Sequence, residues 1–512
     1  MVGAQKYRAY LPVLGVLTIA LLIGIFTLKD YGESWDEADI YRYSNYSLSA
    51  YKYFFHPGQL EPFDTNLNLY GPAYYMATNA AARLISRLIP PWSQVDAWHF
   101  TYFLSFLGGA LSIFFLSRRW AAPAGSLGAT VLFLSQPLLW GHSFINPKDI
   151  PFMCTFSASI LTGFVITDRF WMRKSLDLTI LPASILLGIT SSFRVAGPLA
   201  GLIVLGYAMF RLGRRALGLA IPYVALAAIT AYLTWPYLWW SLIPHYIESL
   251  QTMSQFPFAT LILYEGQLYK ASQLPRSYFP TLLILQLTES ALIVIAAGIV
   301  IAVVRLLKDG VWQPVGLFFA WFLIPMLVII GFGSPIYDNG RQLYFLLPPL
   351  FILGGIALDR LFMIAVHPAL QAAAMLLIAL PGIVVGARLH PYEYVYYNAL
   401  VGGTGGAFRR FEMDYWGTSL KDLSEYMNAT VPPNSRVLVF GPEQIVARYA
   451  RPDIQVSIAG ELTHTSYDYA ILLTREDLDE RACRKAETVY EVGRRGAVFA
   501  VMRRIAGGVQ CP

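Results

Sequence analysis

About eleven runs of roughly 17–25 apolar residues constrain this chain more than any other feature, because each is long enough to cross a bilayer as a helix. They fall at residues 10–28, 99–117, 122–139, 150–167, 177–193, 195–211, 216–234, 281–304, 313–332, 342–358 and 369–387. A backbone in hydrocarbon has to satisfy its own hydrogen bonds, so these runs predict a bundle of transmembrane helices. The 14% of charged residues and the mean hydropathy of +0.49 agree, since soluble domains carry about 25% charge. The net charge of +6 is scattered in short clusters, which argues against a nucleic-acid-binding face.

Those clusters set the topology through the bias of Lys and Arg toward cytoplasmic loops. With the N-terminus in the cytoplasm, the inside loops receive Arg118/Arg119, Arg169/Arg173/Lys174, Arg211/Arg214/Arg215, Arg305/Lys308 and Arg360. Lys6 and Arg8 precede the first run, which ends in Thr27-Leu28-Lys29-Asp30 without a small-residue cleavage site and reads as a retained anchor. The stretch 71–90 carries Arg83 and Arg87 one turn apart, as an amphipathic helix lying in the interface does.

The expected fold is therefore an all-α polytopic membrane bundle of about eleven transmembrane helices with interfacial helices in the first outer loop. A small C-terminal α/β extracytoplasmic domain follows. Residues 1–390 form the membrane domain, 391–430 a Gly-rich linker and 431–512 the α/β domain. Within the last, Arg436 to Phe440 and Tyr469 to Leu473 predict strands, Glu443 to Ala450 a helix, and Glu487 to Val492 with Ala497 to Met502 a hairpin around Gly496. The expected location is the plasma (inner) membrane, multi-pass, with the C-terminal domain outside. Of the three cysteines, Cys154 lies in an apolar run, while Cys483 and Cys511 either pair or remain free thiols.

Chemistry-bearing residues gather at the outer ends of the spans. Asp36-Glu37 follows the first run beside Trp35, where partial desolvation is expected to raise a carboxyl pKa and suit a general base; a solvated loop end is the plainer alternative. Asp149, with Lys148, lies in a short second outer loop, as a second acid of the same site or as a helix cap. Two acids at one site could orient an acceptor or bind a divalent cation, with Asp36 and Asp149 as its ligands. Arg194, Lys270, Arg276 and Arg341 sit at outer span ends, against the positive-inside trend, as phosphate-binding groups or interface anchors. Glu289 is the one acid within a run, functional or interfacial.

Taken together, these residues resemble the GT-C superfamily of membrane glycosyltransferases, in particular its protein O-mannosyltransferase and aminoarabinose-transferase-like group. The likeness rests on Asp36-Glu37 after the first span, on Tyr70-Gly71-Pro72-Ala73-Tyr74-Tyr75, and on Asp149. It continues through Gly266-Gln267, Leu274-Pro275-Arg276-Ser277-Tyr278 and the stretch His390 to Asn398 running on to Asp414-Tyr415-Trp416-Gly417, covering about residues 10–420. Many members carry His-Pro-Pro where this chain has Tyr70-Gly71-Pro72, and Thr-Pro where it has Thr288-Glu289.

The resemblance implies a hexosyl- or pentosyltransferase that uses a polyprenyl-phosphate-sugar donor and inverts configuration. Asp36 would be its base. Glu37 and Asp149 would orient a lipid, glycan or protein acceptor or hold the cation. Lys148, Arg194, Lys270, Arg276, Arg341, Tyr74 and Glu289 would bind substrate. A transporter or polyprenyl-lipid flippase, which needs polar or broken helices at mid-membrane, is the rival class. A scaffold displaying the C-terminal domain is another, and about eleven spans are far more than an anchor needs.

Overall fold

The computed structural model describes residues 10–365, 367–460 and 466–505. Each apolar run contains a helix, and local signals set the boundaries. Proline opens the helices Pro123–Leu134, Pro137–Ile145, Pro198–Leu212, Pro348–Ile364 and Pro368–Leu389, where its missing N–H is not needed. Ser93 and Asp96 form a reciprocal capping box at the start of Gln94–Ser117. Gly310, with φ +70°, ends Glu289–Asp309.

The chain is a multi-pass membrane protein, with seven or eight described helices meeting the length and apolarity of a span where the sequence leads to an expectation of about eleven. Among the described residues, seven helices are long and apolar enough to cross, with Pro198–Thr234 taken as one unit through the turn at Gly213. There are eight if Asp338–Leu346 and Pro348–Ile364, bent by 62°, make one broken span. Pro123–Leu134 (12 residues) and Ile180–Phe193 (14 residues) fall short of the roughly 20 residues that crossing takes. Gln136-Pro137 interrupts the first of these, because proline cannot continue a helical hydrogen-bond ladder.

Small residues bring the spans together. An added Cβ at Gly298 would lie 2.1 Å from the Leu353 carbonyl oxygen, and one at Gly125 would lie 2.8 Å from that of Gly355. Only glycine allows such close helix contacts, which replace hydrophobic driving force inside a bilayer. In the first outer loop, Glu37–Ala50 packs on the amphipathic helix Ala73–Leu88, and Asn79 donates to Asn45 at 2.8 Å.

The C-terminal sheet has the order β4-β3-β5-β7-β6, with β3 Arg436–Phe440, β4 Gln455–Ile458, β5 Tyr469–Leu473, β6 Glu487–Arg494 and β7 Ala497–Arg504. A separate hairpin of β1 Ile262–Tyr264 and β2 Gln267–Tyr269 sits in the long loop 235–280. β3 pairs parallel with β4 and β5, whereas β7 pairs antiparallel with β5 and β6. β3 and β5 read as continuous apolar runs because both of their faces are covered. β4 escapes the sequence reading because it is a short, partly polar edge strand.

The segment 391–430, expected as a linker, is instead packed. Tyr392, Tyr394, Tyr397, Met413, Tyr415 and Trp416 are buried, and Leu420–Thr430 lies against the C-terminal sheet. Cys154 is a buried free thiol, and Cys511 lies outside the described residues.

Candidate active site

The first span ends at a turn, Leu28–Asp30, and the chain then runs through buried Glu33 and Ser34 to Asp36 at the head of Glu37–Ala50. This path is clamped to later parts of the chain. The Trp35 N–H donates to the Trp416 carbonyl at 2.9 Å, the Glu33 N–H donates to Tyr449 Oη at 3.0 Å, and Arg448 pairs with Glu33. Asp36 keeps 28% of its side chain exposed and faces a cavity of about 200 Å³.

Asp149 arrives at the head of the helix Asp149–Arg173. Asn146 Oδ1 accepts from the backbone N–H groups of Lys148 (3.0 Å) and Asp149 (2.8 Å), so Asn146 does the capping that Asp149 could have done. The Asp149 carboxylate is thereby left free for Arg194, Arg341 (2.7 Å) and Asn146 Nδ2 (3.0 Å).

Arg341 is the hub. Asp338, Asn339 and Gly340 lie in the left-handed region, with φ of +47°, +57° and +70°. That turn folds the chain back so that Arg341 Nε and Nη2 reach Asp338 Oδ2 at 3.1 and 3.0 Å. Two consecutive non-glycine residues there store strain that the surroundings must hold; Tyr278 Oη and the Glu412 carbonyl both bond Asn339. Arg341 also lies 3.7 Å from Asp36 Oδ2 and over the Trp416 ring at 4.3 Å.

Lys148 completes the set at 2.9 Å from Asp36. From the C-terminal domain, Arg475 reaches Asp338 Oδ1 at 2.7 Å and the Tyr415 carbonyl at 3.1 Å. Three carboxylates, those of Asp36, Asp149 and Asp338, thus face four cations. Removing one member of such a buried set strands its partners, which costs about 3–5 kcal/mol.

The electrostatics correct one expectation. Burial acts to raise the Asp36 pKa, but Lys148 and Arg341 outweigh it and hold the carboxyl below its ordinary value. The raised acids lie elsewhere. Glu412 is pushed up to about 8, chiefly by burial. Glu33 is pushed to about 7 by burial and then by Glu37.

The other expected site residues separate into those the fold brings to the cluster and those it does not. Lys148, Arg194 and Arg341 join Asp36 and Asp149. Glu37 points the other way, accepting from the Ser34 N–H (2.6 Å) and Tyr41 Oη (3.1 Å) and meeting His99 Nε2 at 3.2 Å. Tyr74 stacks on Phe193 and shares a hydrogen bond with Ser105, so Tyr70 lines the cavity in its place. Glu289 accepts from the Ala399 N–H at 2.6 Å. Lys270 and Arg276 are exposed and make no ion pair within 4 Å among the described residues. Asp338, Arg475, Tyr70, Tyr337, Phe256 and Phe258 are additions that the sequence did not single out as site residues.

Tyr70, Phe256 and Tyr337 divide the polar cavity from a mostly apolar one of about 250 Å³, lined by Phe152, Leu250, Met253, Ile329 and Phe345 with Arg194 and Gln342. A divalent cation fits this donor set poorly. Arg194 and Arg341 take up both oxygens of Asp149, Lys148 takes Oδ2 of Asp36, and no group of three or more His, Cys, Asp or Glu is placed to hold a metal among the described residues. The arrangement can bind an anion by displacing internal pairs, and it can accept a proton at Asp36.

No protein-family model and no curated protein sequence matches the chain. Solved structures do. ArnT from Cupriavidus metallidurans bound to undecaprenyl phosphate is similar at 15% identity and a TM-score of 0.50, over 98% of both chains. Its apo form gives 14% and 0.49, again over 98% of both. An oligosaccharyltransferase from Archaeoglobus fulgidus gives 14% and 0.44, over 86% of this chain and 64% of that one. At these identities the likeness to lipid-bound ArnT carries the fold.

Proposed function

From a chain with the fold of the GT-C glycosyltransferases, we propose an inverting glycosyltransferase that moves a sugar from a polyprenyl-phosphate donor to an extracytoplasmic lipid, glycan or protein acceptor. One observation carries the reading. Asp36 and Asp149, from different outer loops, meet the same arginine, Arg341, in a polar cavity beside an apolar one. The undecaprenyl phosphate bound to ArnT suggests the lipid class.

In this mechanism the prenyl chain occupies the apolar cavity and its phosphate lies against Lys148 and Arg341. The acceptor hydroxyl oxygen bonds to the anomeric carbon from the face opposite the phosphate. The bond from that carbon to the phosphate oxygen breaks, and the leaving phosphate keeps the electron pair. The hydroxyl proton passes to Asp36. A leaving phosphate needs charge compensation more than a proton, which Lys148 and Arg341 supply.

The lowered pKa of Asp36 has a use here. A donor phosphate competes with Asp36 for Lys148 and Arg341, and a carboxylate that loses its cations becomes a stronger base. Basicity then rises when donor is present. Tyr70, Phe256 and Tyr337 wall the site and limit attack by water.

The test is transfer from labelled polyprenyl-phosphate sugars by the purified protein with candidate acceptors. Asp36→Asn strands Lys148 and should cost some stability, so it is assayed below its own melting temperature, where transfer should fall at least about 10²-fold, as loss of a general base does. A variant with near-normal rates would remove Asp36 as base.

A further inference from the structure

Asp149 and Asp168 lie near the two ends of the helix Asp149–Arg173, 19 residues or about 28 Å apart. At the Asp168 end, on the membrane face opposite Asp36, a groove of about 1070 Å³ opens between Pro198–Leu212 and the helical stretch 313–331. Its shaft is apolar, with Leu202, Gly206 and Phe210 on one wall and Leu317 and Ile324 on the other. From Leu199 to Arg211 the wall runs 12 residues, about 18 Å, the reach of a lipid chain.

The mouth is cationic. Arg118, Arg119, Arg211 and Arg305 line it with Trp120 and Trp312, and no lining residue is a carboxylate. Arg119 is neutralised by Asp168 at 2.9 Å. Arg118, Arg211 and Arg305 have no carboxylate within ion-pair distance among the described residues. Arg118 donates to the Ala121 carbonyl at 2.5 Å, and Arg211 rests on the Trp171 ring at 4.1 Å. Arg305 donates to the Trp120 carbonyl at 3.3 Å, while its Nε is buried without a partner among the described residues.

Three uncompensated guanidiniums at the mouth of an apolar shaft call for an anion joined to a hydrocarbon chain. Guanidinium forks match phosphate oxygens in geometry, and basic pockets between membrane helices take up anionic headgroups. We infer that this groove binds an anionic phospholipid, its phosphate between Arg211 and Arg305 and an acyl chain along Gly206. The donor's site lies at the other face, so this is a second lipid site, argued from different residues.

The full-length protein in detergent, stripped of lipid, would be titrated with phosphatidylglycerol, phosphatidylcholine and undecaprenyl phosphate and followed by native mass spectrometry. The expected result is retention of phosphatidylglycerol with at least tenfold preference over phosphatidylcholine, lost in Arg211→Gln/Arg305→Gln. A Cβ at Gly206 meets nothing within 4 Å, so Gly206→Phe fills the groove without touching the arginines. It should block retention at unchanged thermal stability. Equal binding of the two phospholipids, tighter binding of undecaprenyl phosphate, or full retention by Gly206→Phe would overturn the proposal.

Discussion

Two arginine clusters stand at opposite ends of the same helices, and they differ in charge balance. At the Asp36 end Arg194, Arg341 and Arg475 each have a carboxylate partner inside the protein. At the other end Arg118, Arg211 and Arg305 have none among the described residues. A pre-paired cluster is rigid without ligand and admits an anion only by exchange, which releases a carboxylate for chemistry. An unpaired cluster waits for its counter-charge and can only bind. Charge balance, more than charge, separates a reactive site from a docking site.

The largest effect that could break this contrast belongs to Asp149→Asn. It strands buried Arg194 and takes one of three carboxylates from Arg341, so a loss of about 3–5 kcal/mol is expected, read as a fall in thermal unfolding temperature together with lost transfer. An unchanged melting temperature would mean that the outer cluster is as loosely balanced as the inner one. Next comes Arg475→Met, which removes one partner of Asp338 but leaves Arg341 in place. A loss of about 1–3 kcal/mol and reduced transfer are expected, and a variant with full activity would detach the C-terminal domain from the site.

A subtler effect is in pH. Glu412 is held protonated up to about 8 in the fold, against 4.5 unfolded. Its contribution to stability is whole below pH 4.5 and is lost as pH climbs through 8, because the folded state then binds the extra proton. Melting temperature should fall over that window, and Glu412→Gln should flatten the slope; a steeper slope in the variant would reverse the sign. The smallest effect belongs to the other cluster. Arg211→Gln in lipid-free detergent should shift stability by under about 0.5 kcal/mol, since no internal partner is stranded.

What could be read from sequence follows the same physics. Apolar runs announce spans because lipid tolerates little else, and Asp36, Lys148, Asp149, Arg194 and Arg341 stood out as charges beside such runs. That cue cannot say where a side chain points. It gave Lys270 and Arg276 the same weight as Arg341, although they face solvent. It paired Glu37 with Asp36, although the helix starting there turns Glu37 toward His99. Asp338 and Arg475 were invisible because 137 residues separate them and neither belongs to a local pattern. Composition reads 122–139 as one run, where the structure has two short helices that meet at Gln136-Pro137.

The link from Arg475 to Asp338 bears on the order of biosynthesis. The residue that completes the cluster comes well after the helix Pro368–Leu389, and it is aimed by a sheet that includes Ala497–Arg504. The described spans are therefore made before the pocket can be finished. A ribosome that stalled after Pro368–Leu389 would leave in the membrane a bundle in which Asp338 lacks its second cation.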